Sequence, residues 1–151
     1  MKLTSPAFVA GDALPERFAK EADNHSPPLR IADPPPQTES FVLIMDDPDA
    51  PSGTFTHWVV FDLDREMREL PEDRAPRQAR LGRNSWGETA YGGPRPPSGT
   101  HRYFFRAYAL DRRLDLPAGA PREQIEQAMR HHVLAQAELM GRYSHRDRAK
   151  S

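Results

Sequence analysis

YGGPRPPSGTHRYFFRAYALD, residues 91–111, sets the reading of the whole chain. Seven of its first nine residues are Gly, Pro or Ser. Proline fixes φ and glycine frees it, so this segment is a shaped loop and not a helix or a ladder strand. His101, Arg102 and Tyr103 follow. The run RYFFRAYAL, 102–110, is aromatic-rich with apolar residues on both faces, as in a strand covered on both sides. Two other runs share that character. In SFVLIMDDPDAP, 40–51, an apolar stretch from Phe41 to Met45 stops at Asp46-Asp47-Pro48, and THWVVFDL, 56–63, reads as another buried strand.

Around these strands, 151 residues suffice for one domain spanning 1–151 with a real core. Sixteen prolines against nine glycines argue against a helical bundle, because Pro breaks helix interiors and collects in turns and edges. The first forty residues, with DNHSPPLRIADPPPQTES, are punctuated by Pro and polar groups and read as short strands and turns. A helix is expected near the C-terminal end. Pro121 stands at its first position and Glu123 in its first turn, Ile125, Met129, Val133 and Met140 recur at near-helical spacing, and Gly141 is the stop. Residues 143–151 read as a frayed tail. The expectation is a mainly β protein with one C-terminal amphipathic α-helix packed on its strands.

Composition excludes several functions. A net charge of −1 gives no pull toward nucleic acid or an anionic membrane. The absence of cysteine removes thiol nucleophiles, thiolate metal sites and disulfides. MKLTSPAFVAGDALPE lacks the apolar core of a secretory signal, and no stretch reaches the length of a membrane span. A soluble cytoplasmic protein is expected, with no integral membrane association.

Three polar clusters stand at strand ends: Asp47 and Asp49 around Pro48, His57 before Trp58-Val59-Val60-Phe61, and His101-Arg102-Tyr103. Each has a bland reading as turn, satisfied histidine or connection. Together they place ionisable groups at three boundaries between strands and rigid loops, which one sheet would bring to one rim. By strand parity His57 shares a face with Val59 and Phe61, and His101 with Tyr103 and Phe105. A calcium loop counted from Asp47 fails, since its fifth and sixth positions are Pro51 and Ser52. No Gly-x-Ser-x-Gly elbow is present. Nothing in the spacing favours a metal triad of two His and one Asp, so no metal or cofactor is expected. An anion site fits the residues. A carboxylate beside a histidine favours the imidazolium, a donor for phosphate-type oxygens. Gly92, Gly93 and Gly99 would let backbone approach a ligand, and Pro94, Pro96 and Pro97 hold the loop in one shape.

DPDAP at 47–51, HWVVFDL at 57–63 and the 91–111 stretch, in that order, resemble the signature segments of the phosphatidylethanolamine-binding protein family, in its bacterial Raf-kinase-inhibitor-like branch. DNHSPPL at 23–29 is similar to the family's N-terminal segment, and AELMGRY at 137–143 to its bacterial C-terminal end. The chain departs from the pattern at Ala22, Ile31 and NSWG, 84–87, positions outside the pocket motif. The resemblance implies an antiparallel, Greek-key-like β-sandwich with a C-terminal α-helix, and a small pocket for phosphate, a phosphoethanolamine head group or a carboxylate. Its pocket residues would be Asp47, His57, Pro96, Pro97, Gly99, His101 and Tyr103. Asp49 and Pro51 would shape the turn, and Arg102 would be a structural ion-pair partner. It implies a binding or regulatory protein and not an enzyme, with a kinase or protease as a protein partner and a homodimer as an assembly. The alternatives are a hydrolase with His57 or His101 as general base on a small ester, and a pure protein-interaction domain.

Overall fold

The three apolar runs form the middle of one five-stranded antiparallel sheet. The computed structural model describes residues 1–76 and 78–145. Its strands are β1 (Lys2–Thr4), β2 (Leu29–Ala32), β3 (Ser40–Asp47), β4 (Phe55–Asp64), β5 (Glu69–Leu70), β6 (Arg80–Leu81), β7 (Thr100–Leu110) and β8 (Val133–Ser144), and its helix is α1 (Arg122–Met129). The large sheet is ordered β6-β4-β3-β7-β8, and a smaller one is ordered β1-β2-β5. Every residue of β3 is buried, as its central place and near-continuous apolar sequence demand.

Alternation along the strands builds two cores. Phe41, Leu43, Met45 and Phe105 face the small sheet and pack with its Leu3, Leu29 and Ile31. Val42, Ile44, Val59 and Phe61 face the other way and are covered by Ile125 and Met129 of α1. Full burial of a side chain such as Ile125 stabilises the fold by about 1.5–3 kcal/mol. Among the described residues the result is the expected mainly β architecture: two antiparallel sheets, one short α-helix and no closed barrel.

The C-terminal helix is shorter than its spacing predicts. α1 ends at Met129, with Arg130 extended and His131 at φ 70°. Val133 and Met140 belong to β8, which pairs with β7 from Leu110↔Val133 to Thr100↔Ser144. The same residues carry a period of two: Ala135, Ala137, Leu139, Gly141 and Tyr143 turn inward while their neighbours are more exposed. Long-range pairing with β7 therefore overrides a chance helical spacing. Gly141 is no helix stop. A Cβ there would lie 2.5 Å from Leu14 Cδ2, so the glycine lets the N-terminal segment close over the strand. Tyr143 and Ser144 are paired in β8, not frayed, and residues 146–151 lie outside the described residues.

Candidate functional site

One end of the large sheet carries a cavity of about 450 Å³. Asp47 ends β3, His57 lies near the start of β4, and His101 and Tyr103 open β7. All four line this cavity, although 56 positions separate the first from the last. Pro97 closes one side and Pro51 another, so Pro51 is a wall as well as a turn residue.

A bulge places His57. Met45 pairs with Trp58 and Asp46 with Thr56, so His57 is an extra residue in β4. Strand parity from Val59 and Phe61 would send its ring toward α1. The bulge breaks that parity and turns the ring to the cavity side, which is what bulges near sites do. The parity argument for His57 is thus corrected, while His101 keeps the side of Tyr103 and Phe105 without a break.

The two histidines are held differently. His101 Nδ1 lies 2.6 Å from Asp47 Oδ2, and both residues are buried. Asp47 Oδ1 also accepts the Asp49 backbone N–H at 2.8 Å, fixing the turn that carries it. His57 Nδ1 donates to the Gly92 carbonyl at 2.7 Å, which assigns the proton of the neutral ring to Nδ1. Burial pushes the His57 pKa down, and the Gly92 carbonyl and Asp47 only partly oppose it. The carboxylate partner therefore belongs to His101 and not to His57.

Aromatic edges line the remaining space. His57 packs edge-on against Phe55, Trp86 and Tyr103 at centroid distances of 5.1, 5.1 and 5.2 Å. The Tyr103 side chain is buried and its hydroxyl has no hydrogen-bond partner among the described residues. Burial, then the Asp47 charge, push its pKa up, against the opposing effect of the Arg95 backbone N–H.

Several predicted residues have other duties. Pro96 is buried within the loop and Gly99, at φ 66°, turns it into β7; neither is a cavity wall. Gly92 and Gly93 do not open backbone toward a ligand. A Cβ on Gly92 would strike the Trp86 ring, and one on Gly93 would strike the Phe18 carbonyl, so both admit protein neighbours. Asp49 takes the Arg102 guanidinium at 2.8 and 3.0 Å and its backbone N–H at 2.8 Å. Those bonds hold the Asp49 carboxyl down at about 2, and Arg102 is the expected structural partner.

Sequence reasoning missed Ala50, Phe55, Trp86 and Arg95, all of which line the cavity. Trp86 lies in NSWG, a departure read as outside the pocket motif, and the structure puts it in the wall. Asn84 Oδ1 accepts the Trp86 and Glu88 backbone N–H groups, and Ser85 Oγ accepts that of Thr56, so this loop is pinned to the start of β4. The signal was present: an aromatic residue flanked by turn formers, beside a strand already suspected of carrying the site. Among the described residues, no three His, Asp or Glu side chains gather closely enough to hold a metal ion, and no helix is long and apolar enough to cross a membrane.

Comparison with known proteins agrees with this architecture. The family model for phosphatidylethanolamine-binding protein matches residues 4–144. The UPF0098 protein of Methanothermobacter thermautotrophicus is 45% identical over 148 residues, covering 95% of this chain and 98% of the relative. That of Aquifex aeolicus is also 45% identical, covering 95% and 88%. A crystal structure of a putative phosphatidylethanolamine-binding protein homologue from Chlamydia trachomatis superimposes with a TM-score of 0.91 at 40% identity, covering 95% of this chain and 96% of that one. Escherichia coli YbcL, described as a new member of the mammalian family, superimposes at 0.89 with 28% identity, covering 95% and 97%. With the family model spanning nearly the whole chain and relatives this similar over full length, the chain belongs to the phosphatidylethanolamine-binding protein family.

Proposed function

We propose that the chain is a non-enzymatic binding protein whose cavity takes a small oxyanion, a phosphate, a carboxylate or a phosphorylated head group. The observation that carries this reading is the buried His101–Asp47 pair in the cavity wall. Asp47 occupies the Nδ1 side, so Nε2 is the nitrogen left for a ligand. A ring whose Nδ1–H points at a carboxylate can donate from Nε2 only as an imidazolium. The imidazolium form of His101, with Nδ1 facing the buried Asp47 carboxylate, is therefore the donor offered to the anion.

The hydrolase alternative finds less support. His57 holds its Nδ1 proton on Gly92, and among the described residues no Ser, Thr or Lys is a cavity wall to serve as nucleophile. The other walls are the aromatic side chains of Phe55, Trp86 and Tyr103, Pro51 and Pro97, with Ala50 and Arg95, the mostly apolar lining with few polar groups of a ligand pocket.

Calorimetric titration of inorganic phosphate tests the proposal. His101→Gln should weaken binding by about tenfold, since a charge-assisted hydrogen bond contributes ~1.5–3 kcal/mol. No phosphate binding, or His101→Gln binding like wild type, refutes it.

A further inference from the structure

Arg95 is the only cavity wall residue with a permanent positive charge among the described residues. His57 is held neutral and the Asp47 charge is engaged by His101, so Arg95 supplies the fixed cation. Its guanidinium is not turned into the cavity for good. Arg95 Nε lies 2.7 Å from Glu21 Oε1, in a pair whose side chains are 51% and 43% exposed.

The backbone beneath that pair is fixed. The Lys20 N–H donates to the Pro94 carbonyl at 3.1 Å, and the Gly93 N–H to Asn24 Oδ1 at 2.8 Å. Pro94 and Pro96 flank Arg95 and stiffen its backbone. Glu21 and Arg95 are thereby kept opposite each other at the rim, with both side chains part-exposed. An exposed ion pair of this kind is weak and exchanges readily for a better oxyanion.

Resting on the oxyanion reading of the cavity, we propose that Arg95 is its specificity-determining residue and that Glu21 is an internal competitor which the ligand displaces. The guanidinium fork then holds two oxygens of the anion at the mouth while His101 meets it at the wall. Glu21 tunes the affinity: as a carboxylate on the same fork, it sets the strength an incoming anion must exceed. Monocarboxylates offer about the same bond as Glu21 itself, so the arrangement favours phosphate monoesters, whose greater charge and third oxygen also reach the wall.

The test is calorimetric titration of inorganic phosphate between about pH 6 and about pH 8. Arg95→Gln should bind about five- to tenfold more weakly, with a shallower salt dependence. Glu21→Gln should bind about two- to threefold more tightly. Arg95→Lys, which keeps the charge and loses the fork, should fall between wild type and Arg95→Gln. Both side chains are exposed at the rim, so unfolding midpoints should stay unchanged. If wild type does not bind phosphate at any pH, the oxyanion reading itself fails. If wild type binds and Arg95→Gln binds equally, the Arg95 assignment alone is overturned. A weakened Arg95→Gln with an unaltered Glu21→Gln overturns the competitor.

Discussion

His57→Phe separates the two histidines by pH. The ring is 3% exposed and contacts Phe55, Trp86 and Tyr103 edge-on, contacts that a phenyl ring of similar volume retains. What is lost is the 2.7 Å bond to the Gly92 carbonyl. Leaving that buried acceptor unsatisfied should cost about 1–3 kcal/mol near neutral to alkaline pH. The cost then depends on pH with a definite sign. Burial lowers the folded-state pKa of His57 below its unfolded value of about 6.5. As pH falls through that value the unfolded chain takes up a proton that the folded chain refuses. Wild type therefore loses stability through this group, by at most about 1.4 kcal/mol per pH unit, until the folded ring also protonates. The variant has no such group, so its deficit should shrink as pH falls. Urea unfolding of both proteins at about pH 8 and about pH 5.5 measures the two gaps. A deficit that is constant or larger at the lower pH would show that His57 is not a buried neutral ring.

Three other perturbations follow from the same geometry. Tyr103→Phe removes a buried hydroxyl with no hydrogen-bond partner among the described residues, so the free protein should gain about 0.5–1 kcal/mol in denaturant unfolding; a loss of that size would mean the hydroxyl is bonded. Gly93→Ala drives a methyl into the Phe18 carbonyl and should destabilise the fold by more than about 3 kcal/mol, seen as a lowered thermal midpoint. An unchanged midpoint would deny the close approach of the two segments. Asp49→Asn weakens the hold on Arg102 and should cost about 1 kcal/mol above the carboxylate range. That cost should vanish in acid, because the depressed Asp49 pKa confers stability that is lost as pH falls toward about 2.

The three central strands were legible because each is a short apolar run bounded by turn residues. The residues at their ends were legible because the sheet must bring neighbouring strand ends together. Two things were not. The period of two in β8 coexists with a spacing of four, and only pairing with β7 over its whole length decides between them. The bulge at His57 carries no local signature, since neither a glycine nor a proline marks it, and the ring reached the cavity by a route that parity denied. Trp86 and Arg95 became walls through loops fixed by distant partners, Ser85 to Thr56 and Lys20 to Pro94. Gly92 and Gly93 of the Gly-Pro loop serve contact with Trp86 and the N-terminal segment and not with a ligand.

A crystal of the protein soaked with phosphate at about pH 6, where imidazolium is readily formed, tests the central claim most directly. The account predicts phosphate in the cavity with one oxygen within hydrogen-bond reach of His101 Nε2, about 2.6–3.0 Å, while Nδ1 stays on Asp47. Phosphate bound only outside this cavity, or a cavity that stays without phosphate at saturating concentration, would contradict it.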